Sequence, residues 1–311
     1  MTLALDILLA LGLLWLGWQV VSGRALFRSI VMLIVLGLLM AVVWSRLGAP
    51  DLALAEAAVG AAVTGAMLLL AYRRIIELRP ERAHQSLLRR SRLAAPLALL
   101  CGALVMGLGF ELLKLSSPAD SAGAAALAAM QQSELSNPVT GVLLLFRGYD
   151  TLLEMGVLLA AWLGVKMVQP AERQELPVSR TPLPTYLTDA LLAVVIPGVV
   201  LVAGYLLHAG GSAPGGAFQA GAVLAGAGVL LALTGRLRPT PEPSQLQRIA
   251  LALGVVTFAA IASVGPLFGK PVMWLPEGWA LYVIEGAMTI SIALCLLLLF
   301  ISAGGVQRRE P

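Results

Sequence analysis

Residues 138–165 read PVTGVLLLFRGYDTLLEMGVLLAAWLGV, and this stretch decides what kind of molecule the chain is. At about 1.5 Å per helical residue, 140–165 is long enough to cross a bilayer core of about 30 Å. Yet it carries Arg147, Asp150 and Glu154. Each ionisable side chain at a helix centre costs about 2.5–3.5 kcal/mol on insertion scales, so three in one span need a reason. Their spacing of i, i+3 and i+7 puts them on one face of a continuous helix. Asp150 and Glu154 are like charges four residues apart, which Arg147 offsets only in part. A carboxyl of that pair that holds a proton can pass it on, so the group reads as a proton or cation relay. The plain alternative is a static ion pair that glues helices together.

The rest of the chain has the same character. Of its 311 residues, 59% are apolar and 12% charged, with a mean hydropathy of +0.89. A soluble domain averages about 25% charged residues. The composition excludes a soluble enzyme, a nucleic-acid reader and a disordered scaffold, and it implies an all-α polytopic membrane protein. Nine stretches are apolar and long enough to span: 3–22, 25–45, 51–72, 93–113, 140–165, 187–208, 214–234, 247–267 and 279–302. The first lacks a basic n-region and carries Asp6, so it reads as a span, not a cleavable signal.

With the N-terminus outside and the C-terminus cytoplasmic, 17 of the 21 Lys and Arg fall in inner loops or the tail. They are Arg24 and Arg28, then Arg73, Arg74, Arg79, Arg82, Arg89, Arg90 and Arg92, then Lys166, Arg173 and Arg180, then Arg236, Arg238 and Arg248, and finally Arg308 and Arg309. Only Arg46, Lys114 and Lys270 fall in outer loops, the asymmetry of the positive-inside rule. Two inner linkers, Arg73 to Arg92 and the Pro-rich 169–184, divide the chain into blocks 1–78, 93–170 and 185–305, of three, two and four helices. The outer loop 114–139 is polar and Ala-rich, with a short surface helix expected over 121–132. No internal repeat is evident, which gives an inverted-repeat transporter no support. Cys101 and Cys295 lie in apolar runs with neither metal nor disulfide spacing.

Further polar groups lie within the spans. Glu56 is past the first turn of the third, in PDLALAEAAVGAAVTGA, and reads as functional. Pro50 and Asp51 read as a helix start, with Asp51 as a cap and a weaker ion-path candidate. Ala57, Ala61 and Gly65 recur every fourth residue, which suits close helix packing. Glu285 lies in the ninth span about 10 Å below its outer end. Asp189, near the inner end of the sixth, reads as a cap or surface residue. Glu111 with Lys114 reads as an interfacial i, i+3 pair. His208 ends the sixth span, where the helix dipole also favours a histidine. His84 reads as solvated. The GGSAPGG turn after His208 lacks the Gly-Lys-Ser/Thr of a phosphate loop and implies a very tight hairpin instead. Pro197-Gly198 is expected to kink the sixth span. Glu56, Glu285 and His208 fall in the outer half, while Arg147, Asp150 and Glu154 reach towards the middle. This is a polar half-path, with the inner half left to partner subunits.

The stretch from Leu5 to Leu70, with DLALAEAAVGAAVTGAMLL, resembles a three-helix module found in Mrp-type multisubunit Na⁺/H⁺ antiporters and energy-converting membrane-bound hydrogenases. It is similar to the small D subunit of the hydrogenases and to the C-terminal part of the Mrp A subunit. NPVTGVLLLFRGYDTLLEMGVL resembles the two-helix module that follows it in the hydrogenases, the E-like module, whose usual core is Arg-Gly-aromatic-Asp-Thr-Leu-x-Glu. Here that core is Arg147, Gly148, Tyr149, Asp150, Thr151, Leu152 and Glu154, with Leu153 where a glycine is usual. HAGGSAPGGAFQAGAVLA, in a four-helix frame with Glu285, resembles the Mrp B subunit. Ala217 and Ala220 stand at two usual glycines, and the Pro-Gly-Gly is intact. The chain therefore resembles a fusion of three small subunits.

The resemblance implies a subunit of a Na⁺/H⁺ antiporter complex in a prokaryotic cell (inner) membrane. It places Glu56, Asp150, Glu154, His208 and Glu285 on polar intramembrane positions. Glu154 and Asp150 would be relay carboxylates or a transient Na⁺ site, with Arg147 tuning them. Glu56 and Glu285 would guide the ion from outside, and His208 would be an outer gate. The implied partners are large antiporter-like subunits related to those of complex I, together with small helical subunits. Those large subunits carry mid-span lysines and this chain has none, so it reads as neither a complete antiporter nor an enzyme. No cofactor or structural metal is expected. The rivals are an accessory ion-translocating subunit of a hydrogenase-type oxidoreductase, a structural membrane connector, and a self-standing permease.

Overall fold

The computed structural model describes residues 2–23, 25–78, 94–114, 121–168, 185–237, 243–276 and 278–304. Those residues are all-helical, with no strand among them. Most of both linkers lies outside them, as do His84, Arg24, Arg79, Arg82, Arg89, Arg90, Arg92, Arg173, Arg180, Arg238, Arg308 and Arg309.

Two long helices, α1 (Thr2–Ser22) and α2 (Leu26–Arg46), form an antiparallel hairpin, closed by Arg46 donating to Asp6 at 2.9 Å. The third expected span has three parts: α3 (Pro50–Ala55), a π-helical stretch Glu56–Val63, and α4 (Thr64–Leu78). Next come α5 (Ala94–Lys114) and the short α6 (Ala122–Met130), which starts on a Ser121 cap inside the stretch expected to hold a surface helix. The single helix expected over 140–165 is instead broken. It comprises α7 (Pro138–Gly141), a π-helical stretch Val142–Phe146, a bend at Arg147, and α8 (Gly148–Val168). Last are α9 (Thr185–Ala209), unbroken through Pro197, then α10 (Ala217–Leu233), α11 (Gln245–Ala262) and α12 (Trp279–Gly304). Among the described residues, eight helical segments are long and apolar enough to cross a membrane. The segment expected over 214–234 is the 17-residue helix α10.

The core forms around α12. Over the apolar part of its span 61% of residues are buried, against at most 28% in the other seven long segments, and only the short α10 beside it is also largely enclosed. Leu281, Ile284, Met288 and Ile292 form one stripe down this helix and pack with Met155 and Phe258 from α8 and α11. In lipid, apolar burial between helices supplies little drive, so close van der Waals approach must do the holding. Small residues make that approach possible. A β-carbon on Gly221 would lie 2.8 Å from Ile292 Cβ, and one on Gly254 would lie 2.7 Å from Met155 Cε. The every-fourth small residues of the third span do the same against α2, where a β-carbon on Gly37 would lie 3.2 Å from Ala61 Cβ. By contrast, none of Pro96–Lys114 is buried against the rest of the chain.

Polar contacts fix the relative heights of the helices. Asp51, Asn137 and Gly215, at the starts of the third, fifth and seventh segments, are bonded together at one end of the bundle. At other helix ends, Asp189 on α9 pairs with Arg236 beyond α10, and Arg74 Nη1 on α4 donates to the Ala303 carbonyl of α12 at 3.4 Å.

Candidate functional site

The bend at Arg147 begins with backbone geometry. A π turn closes i→i+5 bonds and holds an extra residue, and here the Arg147 N–H donates to the Val142 carbonyl at 2.8 Å. Arg147 then leaves helical geometry, with φ −125° and ψ 32°. Gly148 restarts the helix under Met273, whose Cε would lie 2.9 Å from a β-carbon there. The Thr151 hydroxyl donates to the Leu143 carbonyl at 2.8 Å, giving a carbonyl in the widened turn a partner. The single helical face expected for Arg147, Asp150 and Glu154 is therefore corrected. Arg147 stands before α8, and only the two acids share it. Arg147 still pairs with Asp150, and their side chains are 67% and 44% exposed. Glu154 is exposed as well. This charged group faces away from the chain's own core. A cavity of about 290 Å³ abuts the bend, lined by Gln132, Ser133, Phe146 and Met273 among others.

A second polar centre lies at the junction of the three segment starts. Asp51 is 5% exposed. It is not the side-chain cap it was expected to be, because Ala49 is the N-cap of α3 and Asp51 reaches other segments. Its Oδ1 accepts from the Gly215 N–H at 3.0 Å and from Asn137 Nδ2 at 3.5 Å. Asn137 also caps α7 through the Val139 N–H and donates to the carbonyls of Gly210 and Ala213, while Thr140 donates to Gly210 at 2.6 Å. The expected tight hairpin is present. A β-carbon on Gly210 would lie 2.7 Å from Gly216 Cα, and Gly216 has a φ of +118°, where glycine is favoured. Ala217 and Ala220 lie inside α10, past the turn, so neither strains it.

Glu285 is buried below this turn, its Oε1 3.7 Å from where a Gly216 β-carbon would sit. The structure thus brings Asp51 to Gly215 and Glu285 to Gly216, neighbours in one glycine pair. Glu56 opens the first π stretch and is half-buried, its carboxyl lying over Gly60. His208 is exposed at the end of α9. Glu111 pairs with Lys114 at 2.8 Å, as the i, i+3 spacing suggested. Asp189 pairs with Arg236 and is a surface residue. Among the described residues no hydrogen bond or ion pair ties Glu111, Asp189 or His208 to the other candidates. Nor does any set of three His, Cys, Asp or Glu among them form a metal site. Sequence reasoning missed Asn137, although Asn-Pro before an apolar run is a readable helix-start signal.

Residues 11–77 match the family model MbhD, the D subunit of MBH, and residues 187–306 match the domain related to the MnhB subunit of the Na⁺/H⁺ antiporter. The chain therefore joins an MbhD domain to an MnhB-related domain, an Mrp/MBH-type module. It is a multi-pass protein of the prokaryotic cell membrane. The fold of this Mrp/MBH-type module is similar to a chain in the structure of the Mrp complex from Dietzia sp. DQ12-45-1b. The TM-score is 0.78 at 20% identity, covering 98% of this chain and 35% of that one. The module thus spans about a third of that chain's length. A chain of the membrane-bound sulfane sulfur reductase (MBS), an archaeal respiratory membrane complex, matches with a TM-score of 0.54 at 22% identity. That match covers 67% of this chain and 95% of that one. No curated protein matches.

Proposed function

We propose that this Mrp/MBH-type module is a subunit of a multisubunit antiporter exchanging Na⁺ for H⁺, and that it lines part of the ion path. The observation that carries this reading is the Arg147, Asp150 and Glu154 group, outward-facing at a broken helix within an otherwise apolar span. An ionised pair facing lipid is costly, whereas the same pair facing a partner subunit can bind and release a cation. Asp150 and Glu154 are the relay carboxylates and the transient Na⁺ site, with Arg147 offsetting their charge. Glu56 and Glu285 lead the ion from the outer side, and His208 is the outer gate. Asp51, Glu111 and Asp189 are weaker members of the path, each engaged with a described partner away from the Arg147 group.

The N-terminus lies outside and the C-terminus in the cytoplasm. The positive-inside asymmetry supports this. The blocks 1–78, 93–170 and 185–305 act as MbhD-like, E-like and MnhB-like modules. The partners are large antiporter-like subunits, which supply the mid-span lysines absent here.

The test is Na⁺-driven proton movement in membrane vesicles holding the assembled complex. Glu154→Gln and Glu56→Gln, made separately, are expected to lower flux with assembly retained. Unchanged flux in both would remove the path from this chain. The likeness to a respiratory membrane complex supports a second reading, an ion-translocating subunit of a redox-driven machine. Mild-detergent purification with identification of co-purifying subunits separates the two. Iron–sulfur subunits would favour the redox complex, and antiporter-like subunits alone the antiporter.

A further inference from the structure

Glycine is among the poorest helix formers, and alanine is the better residue at an ordinary mid-helix position. Gly60 sits in the middle of the π-helical stretch Glu56–Val63. A β-carbon there would fall on Glu56 Oε1 and lie 2.8 Å from Cδ and 3.3 Å from Oε2. All three of its nearest heavy atoms belong to that one carboxyl. Across the interface, a β-carbon on buried Gly37 of α2 would lie 3.3 Å from the same Oε1. The Glu56 side chain folds back along its own helix into a notch walled by two glycine backbones. No hydrogen bond or ion pair among the described residues holds it there. The notch is therefore defined by shape.

We propose that Gly60 and Gly37 are positioning residues that seat the Glu56 carboxyl between the second and third membrane segments. The inference rests on Glu56 being an ion-path residue. A methyl group at position 60 evicts the carboxyl. Aspartate, one methylene shorter, stops short of that methyl and is indifferent to it.

The test uses the assembled complex in vesicles, with Na⁺-driven proton flux and thermal stability as two readouts. Gly60→Ala is expected to lower flux at least about ten-fold. Adding it to Glu56→Asp is expected to leave flux at the level of Glu56→Asp alone. In the stability readout, Gly60→Ala is expected to be less favourable in the native sequence than in a Glu56→Ala background, where no carboxyl is left to displace. Native flux in Gly60→Ala, or the same stability change in both backgrounds, overturns the proposal. If Glu56→Gln keeps full flux, the ion-path reading of Glu56 fails. The stability comparison then still decides whether Gly60 seats it.

Discussion

Asp51 and Asp150 are both aspartates in the first turn of a helical segment, and the fold treats them in opposite ways. Asp51 is turned inward and 5% exposed, and its carboxylate accepts from donors in two other segments. Asp150 is turned outward with its side chain 44% exposed and, among the described residues, pairs with its neighbour Arg147 alone. A buried charge is tolerated when several donors satisfy it, and such a group is then committed to holding the structure. A pair on the outward face of a membrane helix keeps unused lone pairs, which on the proposed reading are met by something outside the chain. The difference separates a clasp from an offered site.

Mutagenesis can break or sharpen that contrast. The largest effect is expected from Asp51→Ala, which strands the Gly215 N–H in a buried junction and should cost about 3 kcal/mol. Thermal unfolding in mild detergent would read it, and an unchanged transition would mean that Asp51 is no clasp. Asn137→Ala removes a helix cap and donors to two carbonyls, for an expected loss of about 2 kcal/mol by the same measurement. Glu154→Gln should behave in the other way, with a flux loss of about ten-fold, or about 1.4 kcal/mol, and an unmoved thermal transition. A shifted transition with normal flux would make Glu154 structural. Thr151→Val should cost about 1 kcal/mol by leaving the Leu143 carbonyl in the π turn without its hydroxyl. Glu111→Gln breaks only an exposed i, i+3 pair on α5 and should stay within about 0.5 kcal/mol.

Much of this was legible in the sequence, and the reasons for the rest are physical. Helix positions could be read because a run of about twenty apolar residues has few alternatives in lipid. Glu111 with Lys114 was legible because its partner is three residues away. Asp51 was misread because its true partners lie 86 and 164 residues off, and no local pattern announces a contact of that range. The pairing of Asp189 with Arg236, 47 residues apart, was hidden for the same reason. The two π stretches were invisible for a different one. An extra residue in a turn changes the angle of everything after it while leaving hydropathy untouched. Gly148 directly after Arg147 was the only local hint of a break. Nor could periodicity reveal that Glu154 faces outward, because α8 is apolar on every side except for its few charges.

The bareness of α5 and the outward charges of α8 also bear on the life of the newly made protein. On the proposed reading, a copy of this chain without its partners holds ionisable groups against hydrocarbon, at about 2.5–3.5 kcal/mol for each group near mid-membrane. Docking a partner removes that penalty, so subunits that arrive together are favoured over a free pool. On the proposed reading, a solitary copy is thereby distinguishable from an assembled one by the surroundings of these side chains. A variant made more comfortable alone, with those charges replaced by leucine, would outlast its usefulness in the membrane.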